Sequence, residues 1–158
     1  AFNEIGEKDY PDIKRDYAHV DATCMWMIKN PQDYDVLVAE NMFGDIISDL
    51  AAGLIGGLGF ASSANIGDTY AVFEPTHGSA PKYVGKNVVN PMAMMFTAKL
   101  MLDWLGEKEA GTRLENALAA VIAEGKIGTY DVKGRGNGDS TMDVAEEVAR
   151  KVSETVNA

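Results

Sequence analysis

The chain has 158 residues, of which 46% are hydrophobic and 24% charged, which is typical of a soluble globular protein and excludes a disordered segment. Its formal net charge is −10 and its Lys and Arg residues are not clustered, so we expect no binding to nucleic acid or to a membrane surface. The apolar runs are too short or too interrupted to cross a bilayer. An acidic protein that binds an anion must reverse the local field with a bound cation or with placed basic residues.

The first third of the chain is predicted to contain three helical segments and two strands. Residues 2–5 have the pattern of a last helical turn closing at Gly6, and residues 13–19 alternate weakly, as a strand does. An apolar helix follows from Asp21 to Asn30. The β-branched run at 35–39 then predicts a buried strand, and a further helix runs from about Gly44 to Leu54.

Two of these helices are apolar around most of their circumference, which calls for burial on more than one side. A subunit interface is one way to supply that burial. The helix before Asn30 also carries the single cysteine, Cys24, which cannot form an internal disulfide. Because no catalytic motif surrounds it, we expect a buried, reduced thiol and a cytoplasmic location.

The second part of the chain begins at the glycine run 56–59, which is the best candidate for a domain boundary and divides the chain into residues 1–55 and 56–158. A strand is predicted at 71–73. Helices are then predicted at 91–105, 112–124 and 143–156, with Asp139 or Ser140 able to cap the last of them.

Two aspartates are spaced for a metal site. Asp45 and Asp49 are four residues apart, so both carboxylates project from one face of the predicted helix, where they repel each other unless a cation lies between them. No His or Cys is near, and hard oxygen ligands favour Mg²⁺ or Mn²⁺. By spacing alone, two solvated surface acids remain the alternative, although the intervening Ile46 and Ile47 argue against simple exposure.

A second informative stretch runs from Glu74 to Pro91. Small residues in its turn leave backbone N–H groups open to a phosphate, while His77, Lys82 and Tyr83 add donors and one fixed positive charge. The spacing matches neither a P-loop nor a Rossmann glycine fingerprint.

Residues 41–60, NMFGDIISDLAAGLIGGLGF, resemble throughout the signature of the isocitrate, isopropylmalate and homoisocitrate dehydrogenases, the β-decarboxylating dehydrogenases. The resemblance implies the α/β fold of that family, represented by its C-terminal part with helices packed on a mixed sheet. Residues 1–55 would be the end of the small, dimer-forming domain. Residues 56–158 would be the C-terminal portion of the large domain with the cofactor loop.

In this family, aspartates matching Asp45 and Asp49 bind Mg²⁺ or Mn²⁺ together with the substrate's hydroxyl and carboxylate oxygens. A third aspartate comes from the partner subunit, at a position that Asp21 of Val20-Asp21-Ala22 matches. The resemblance therefore implies a homodimer that shares its active site, in which Asp21 and Asp45 act in catalysis through the metal. Without the resemblance, Asp21 would be interpreted as a helix N-cap.

The family's cofactor loop reads T/V-H-G-S/T-A-P, which corresponds here to the residues that follow Glu74. In it, His77 and Asn90 match positions that hold the adenine, and Glu74 matches one near the nicotinamide ribose. The implied cofactor-binding residues are Glu74, Thr76, His77, Gly78, Ser79, Ala80, Lys82, Tyr83, Val89, Asn90, Tyr130 and Arg135.

The cofactor is predicted to be NADP rather than NAD. NAD-dependent members have Asp after the proline of this loop, where it would repel a 2′-phosphate, whereas this chain has Lys82-Tyr83, the pair of NADP-dependent isocitrate dehydrogenases. The NADP-dependent members of the family also place a Tyr, and an Arg four residues later, beside that phosphate. Tyr130 fits, but the fourth residue on is Gly134, so that Arg135 either substitutes from one position later or is a surface arginine.

The resemblance implies the oxidative decarboxylation of isocitrate to 2-oxoglutarate, a reaction of the tricarboxylic acid cycle. The alternatives are an NAD-dependent isopropylmalate or homoisocitrate dehydrogenase and a non-catalytic regulatory subunit. The family's carboxylate-binding Ser and Arg residues and its proton-transfer Tyr and Lys precede the V-D-A segment and cannot be assigned here. We therefore expect the 158-residue chain alone to be inactive.

Overall fold

A computed structural model of the chain describes residues 1–156. Within these residues it has seven α-helices and two β-strands, together with two short 3₁₀ turns at Pro31–Asp33 and Pro81–Tyr83. In chain order the elements are α1 (Phe2–Asp9), α2 (Val20–Lys29), α3 (Asn41–Leu54), β1 (Ser62–Ile66), β2 (Ala71–Pro75), α4 (Met92–Trp104), α5 (Lys108–Glu124), α6 (Tyr130–Lys133) and α7 (Thr141–Val156).

The chain divides into two compact units, residues 1–50 and 51–158, with the boundary inside α3. The first unit consists of α1, α2 and most of α3. Only Gly6 and Thr23 are buried among its residues, while large apolar side chains such as Met25, Ile28 and Ile46 are 46%, 60% and 48% exposed. Exposed apolar patches of this kind mark surfaces that another part of the protein, a partner chain or a ligand covers.

The strand predicted at residues 35–39 is wrong, since these residues form no regular element in the structure. Val36 and Val38 are 83% and 74% exposed. A β-branched run becomes a strand only when a neighbouring strand takes its backbone hydrogen bonds, and residues 1–50 contain no such neighbour. The weak alternation at 13–19 fails for the same reason, and Cys24 is partly rather than fully buried.

The second unit begins with an antiparallel hairpin in which β1 pairs with β2 from Ser62 opposite Pro75 to Ile66 opposite Ala71. Alternation turns Phe73 inward, where its ring lies 6.0 Å from that of Trp104 on α4, and it turns Glu74 outward. β1 was not predicted, because its sequence SSANI has one β-branched residue and no apolar alternation.

Helices α4, α5 and α7 form the core of this unit, and α4 also packs on both strands. The buried cluster consists of Met92, Ala117, Leu118, Val121, Val144 and Val148. Lys99 on α4 joins Asp103 at 2.9 Å and Glu115 of α5 at 3.3 Å, and Lys151 on α7 pairs with Glu124 at the end of α5. The helical predictions for this half are confirmed, with α5 starting four residues earlier than expected, at Lys108.

None of the helices in residues 1–156 combines the length and the apolar character needed to span a membrane.

Candidate metal and cofactor sites

The two aspartates predicted as metal ligands lie on α3 and are both exposed. Their four-residue spacing on a regular helix puts the carboxylates on one face, as expected. Asn41 Nδ2 donates to Asp45 Oδ2 at 3.2 Å, so one carboxylate is already oriented by a neighbour one turn away. Two carboxylates facing solvent, with no His or Cys among the residues of α3, are a set of hard oxygen ligands that fits Mg²⁺ or Mn²⁺.

Asp21 lies in the first turn of α2 and is exposed. The N-cap of this helix is His19, so the alternative interpretation of Asp21 as an N-cap is wrong. Its Oδ1 accepts the backbone N–H of Ala22 at 2.8 Å. Within residues 1–156 the structure brings together no group of three His, Cys, Asp or Glu residues that could hold a metal. The assembly of Asp21 with Asp45 and Asp49 across two subunits therefore stays a prediction.

The cofactor loop leaves the sheet at the end of β2. Glu74 is exposed there and its Oε1 accepts from Asn65 Nδ2 on β1 at 3.3 Å. The Thr76 N–H is taken by the carbonyl of Ala61 at 3.1 Å, which ties the start of the loop to the sheet. His77 Nδ1 lies 2.9 Å from the Gly78 carbonyl oxygen, and because a carbonyl only accepts, this hydrogen bond requires a proton on Nδ1, which makes Nε2 the acceptor of the neutral ring.

Residues 78–80 are exposed, and Ala80 adopts a left-handed conformation with φ of 43° that turns the chain into the 3₁₀ turn Pro81–Tyr83. This turn presents the predicted Lys82-Tyr83 pair. Lys82 Nζ lies 5.1 Å from the centroid of the Tyr83 ring, and Lys86 Nζ lies 5.8 Å from the same centroid. Two ammonium groups thus surround one phenol, which makes this the basic end of the loop.

Tyr83 and Tyr130 are brought together although 47 positions separate them in the sequence, with ring centroids 6.4 Å apart. A hydrogen bond from Tyr130 lowers the pKa of Tyr83, and the charge of Lys82 adds to this effect. The same hydrogen bond raises the pKa of Tyr130. The charge of Arg135 adds to the lowering at Tyr83 and opposes the rise at Tyr130, so its guanidinium is near enough to act on the pair. Lys82, Tyr83, Tyr130 and Arg135 therefore form one cluster, hereafter the basic tyrosine cluster.

Asn90 is 8% exposed, and both polar atoms of its side chain have hydrogen-bond partners. Its Oδ1 accepts the N–H of Met92 at 3.0 Å, at the start of α4, and its Nδ2 donates to Asp131 Oδ2 at 3.1 Å. Because the amide has a second N–H and its backbone also has polar groups, the contact of Asn90 with the adenine stays a prediction. Sequence reasoning missed Asp131, and no local pattern could have linked it to Asn90.

The loop is also attached to α7. Asn87 has a φ of 52°, and its Oδ1 accepts the N–H of Met142 at 3.2 Å. Val89, a predicted cofactor residue that is 40% exposed, accepts the Thr141 hydroxyl at 2.6 Å through its carbonyl. The N-terminus of α7 thus holds residues 87–89, a role of Asn87 that its sequence position did not indicate.

The two ends of the segment that carries Tyr130 and Arg135 are joined by hydrogen bonds to Asp139. Asp139 Oδ2 accepts from Lys133 Nζ and from the Gly128 N–H, both at 2.8 Å, and these two interactions lower the pKa of Asp139. Gly138 lies against the backbone of Tyr130, where an added Cβ would be 2.2 Å from the Tyr130 nitrogen. The loop therefore has little freedom to move Tyr130.

The comparisons with known proteins agree on one family. The family model described as isocitrate/isopropylmalate dehydrogenase matches residues 1–148. An NADP isocitrate dehydrogenase of Thermus thermophilus is 45% identical over 155 residues, which cover 98% of this chain and 31% of the relative. A 3-isopropylmalate/3-methylmalate dehydrogenase of Methanocaldococcus jannaschii is 50% identical over 153 residues, covering 97% of this chain and 44% of the relative.

A solved structure of isocitrate dehydrogenase from Methylococcus capsulatus matches with a TM-score of 0.88 and 47% identity, covering 95% of this chain and 44% of that one. The resemblance and the α/β fold predicted from residues 41–60 are confirmed. The chain spans less than half the length of each of these relatives. The relatives include dehydrogenases named for different substrates. Their similarity to this chain therefore identifies the family but does not select one substrate.

Proposed function

The chain belongs to the isocitrate/isopropylmalate dehydrogenase family, and we propose that its protein is an NADP-dependent isocitrate dehydrogenase acting as a cytoplasmic homodimer. The basic tyrosine cluster is the observation that carries the choice of cofactor. The ammonium of Lys82 and the guanidinium of Arg135 lie near two phenols, a set of donors and positive charges that suits a phosphate dianion. An NAD site would instead offer a carboxylate to the ribose 2′-hydroxyl.

The proposed reaction is transfer of a hydride from the C2 alcohol of isocitrate to the nicotinamide, followed by loss of the β-carboxylate as CO₂ to give 2-oxoglutarate. Asp45 and Asp49, with Asp21 of a partner subunit, would hold Mg²⁺ or Mn²⁺. When bound, the ion supplies Lewis-acid chemistry for the substrate hydroxyl and for the oxygen that becomes negative on decarboxylation.

The residues of this chain bind and orient the cofactor. His77 Nε2 is an acceptor that can take a hydrogen bond from the adenine amino group, since Nδ1 already faces the Gly78 carbonyl. Glu74, held by Asn65, would accept from the nicotinamide ribose. Lys82, Tyr83, Tyr130 and Arg135 would hold the 2′-phosphate at the other end, so the dinucleotide would extend along residues 74–90.

The homodimer proposal is supported by the first unit, whose helices expose apolar side chains. Met25 and Ile28 on α2, and Ile46 on α3, are each close to half exposed or more. A second copy of the chain, placed on these helices, would bury them and bring its Asp21 to the pair on α3.

The test is turnover by the full-length protein with Mn²⁺. We expect reduction of NADP with isocitrate, and much slower reduction with isopropylmalate or homoisocitrate. In the same assay, Lys82→Asp should weaken NADP binding by roughly a hundredfold, because it replaces an attraction to the 2′-phosphate with a repulsion of similar size. Lys108→Asp, at the exposed start of α5, is the matched charge reversal and should behave like the wild type.

A second candidate is an isopropylmalate dehydrogenase, favoured by the 50% identity with the Methanocaldococcus jannaschii enzyme. Faster turnover with isopropylmalate than with isocitrate would replace the first proposal with this one. A non-catalytic regulatory subunit would turn over neither substrate. It would also show the same Mn²⁺ titration for the wild type and Asp45→Asn, whereas either dehydrogenase should lose Mn²⁺ affinity on that substitution.

A further inference from the structure

We propose that Asp131 is a positioning residue that joins the two halves of the cofactor site, and this inference rests on the proposed NADP binding. One half is the loop 74–90, which leaves β2 and carries Lys82 and Tyr83. The other is α6, which begins at Tyr130. Asp131 is the neighbour of Tyr130, and its carboxylate reaches across to the first half.

The carboxylate of Asp131 accepts two hydrogen bonds from buried side chains. Thr129, which is fully buried, donates its hydroxyl to Oδ1 at 2.5 Å, and Asn90 donates Nδ2 to Oδ2 at 3.1 Å. Asn90 is in turn held by the N–H of Met92 at its other amide atom. A continuous chain of hydrogen bonds therefore runs from the N-terminus of α4 through Asn90 to α6.

The backbone around this contact leaves space for it. At Gly59, an added Cβ would lie 2.7 Å from Asp131 Oδ2 and 2.9 Å from the Cβ of Asn90. The carbonyl of Gly59 also accepts the N–H of Ala93 at 2.8 Å, which fixes this segment against α4. A side chain at position 59 would thus push the Asn90 and Asp131 side chains apart.

The bond between Asp131 and Asn90 affects the position of the tyrosines proposed to contact the 2′-phosphate. Tyr130 contacts Tyr83 across the two halves, and their separation depends on how α6 sits relative to the loop. The Asp131–Asn90 bond joins the same two segments, since Asp131 follows Tyr130 on α6 and Asn90 lies on the loop that carries Tyr83. It therefore sets the spacing of the groups proposed to hold the 2′-phosphate, without touching the phosphate itself.

The experiment measures binding of 2′,5′-ADP, which carries the adenine and the 2′-phosphate, to the full-length protein by calorimetry. Asp131→Ala should weaken binding roughly tenfold, the effect expected when a partly buried carboxylate that accepts from Asn90 and Thr129 is lost. Asp131→Asn should bind within about threefold of the wild type, because its oxygen can accept from Asn90 while its amide donates to the Thr129 hydroxyl. Gly59→Ala should weaken binding in the same direction as Asp131→Ala.

Asp103→Ala is the matched control, since it removes another paired carboxylate, at the far end of α4, and should leave binding unchanged. Equal binding by Asp131→Ala and the wild type would overturn the inference, as would equal losses in Asp131→Ala and Asp131→Asn, which would indicate a need for charge. A loss in Asp103→Ala as large as in Asp131→Ala would overturn it too. Failure of the wild type to bind 2′,5′-ADP would instead contradict the proposed function.

Discussion

At the scale of single residues, the proposed NADP site contains two phenols, Tyr83 and Tyr130, that are not equivalent. Tyr130 donates to Tyr83, so the pKa of Tyr83 falls and that of Tyr130 rises, and Lys82 further favours the ionised form of Tyr83. A neutral Tyr83 can donate to a phosphate, whereas its phenolate repels one. Ionisation of Tyr83 would thus remove one hydrogen-bond donor from the cluster and place a negative charge beside the proposed phosphate.

This asymmetry predicts a pH dependence of NADP binding. Because the pKa of Tyr83 is lowered, its phenolate forms at a lower pH than an ordinary tyrosine, and NADP affinity should fall as the pH rises through that value. NAD affinity should stay level over the same range, since NAD has no 2′-phosphate. Calorimetric titrations of both cofactors at increasing pH test this, and Tyr83→Phe should remove the pH dependence. A parallel decline for NADP and NAD would contradict it.

A second prediction at this scale concerns Gly138, which lies against the backbone of Tyr130. Gly138→Ala should lower the midpoint of thermal unfolding and weaken NADP binding several-fold, because a Cβ 2.2 Å from the Tyr130 nitrogen forces the loop to move. Gly53→Ala on α3 is the control, because no atom lies within 4 Å of its added Cβ and alanine is the better helix former. Unchanged NADP affinity in Gly138→Ala would show that the loop accommodates the methyl group.

At the scale of elements, α7 begins with a reciprocal cap. The N–H of Ser140 donates to Asp143 Oδ2 at 2.9 Å, and the N–H of Asp143 donates to the Ser140 hydroxyl oxygen at 3.1 Å. Of the two capping residues considered from the sequence, Ser140 is the one that caps, while Asp139 closes the preceding loop. The same turn of α7 holds the cofactor loop through Thr141 and Met142.

Ser140→Ala should cost about 1 kcal/mol of the free energy of unfolding at neutral pH, the usual effect of losing a serine cap. The hydrogen bonds from Ser140 lower the pKa of Asp143, so the part of this contribution that depends on the carboxylate is present above the carboxyl's unfolded pKa and is lost as the pH falls through its folded value. Urea denaturation of both proteins at several pH values measures the difference. It should narrow on acidification, and a constant difference would contradict the role of Asp143.

The core of the second unit depends on the inward faces of α4, α5 and α7. Leu118 on α5 is completely buried, and Leu118→Ala should lower the free energy of unfolding by roughly 3 kcal/mol through lost burial and the cavity left behind. Ile122→Ala, one turn later on the same helix at a side chain that is 45% exposed, should cost clearly less. Chemical denaturation measures both, and equal costs would mean that Leu118 does not lie at the centre of the core.

At the scale of the whole molecule, the three aspartates proposed as metal ligands predict how many chains an active site needs. Asp45 and Asp49 share one helix face, and no third ligand joins them within residues 1–156 of a single chain. A site completed by Asp21 of a second subunit would explain why α2 and α3 expose apolar side chains in the isolated chain.

This arrangement predicts complementation between inactive variants of the full-length protein. Asp21→Asn and Asp45→Asn should each abolish turnover alone. A mixed dimer would contain one site with both substitutions and one with neither, so unfolding and refolding the two proteins together should restore about a quarter of the wild-type rate. Isocitrate-dependent reduction of NADP measures the recovery. Refolding each variant separately is the control, and no recovery in the mixture would place all three aspartates in one subunit's site or outside it.

Local patterns were enough to predict the longer helices of the second unit, α2, α3 and the family, but not the four-residue helix α6. Apolar runs bounded by Gly, Asn and Pro located α2, α3 and α4, and repeating apolar positions located α5 and α7, to within a few residues, because helical hydrogen bonds join residues close in sequence. Asp45 and Asp49 could be placed on one face, and the sign of charge at Lys82 could be recognised, since each depends on a single element.

Contacts between distant parts of the chain could only be decided by tertiary structure. The strand expected at 35–39 needed a partner strand that residues 1–50 do not provide, and β1 formed because β2 pairs with it despite its weak pattern. The bond from Asn90 to Asp131 spans 41 positions, and Tyr83 meets Tyr130 from a separate segment. Such pairs depend on how loops and helices pack, and they cannot be predicted from the spacing of residues along the chain.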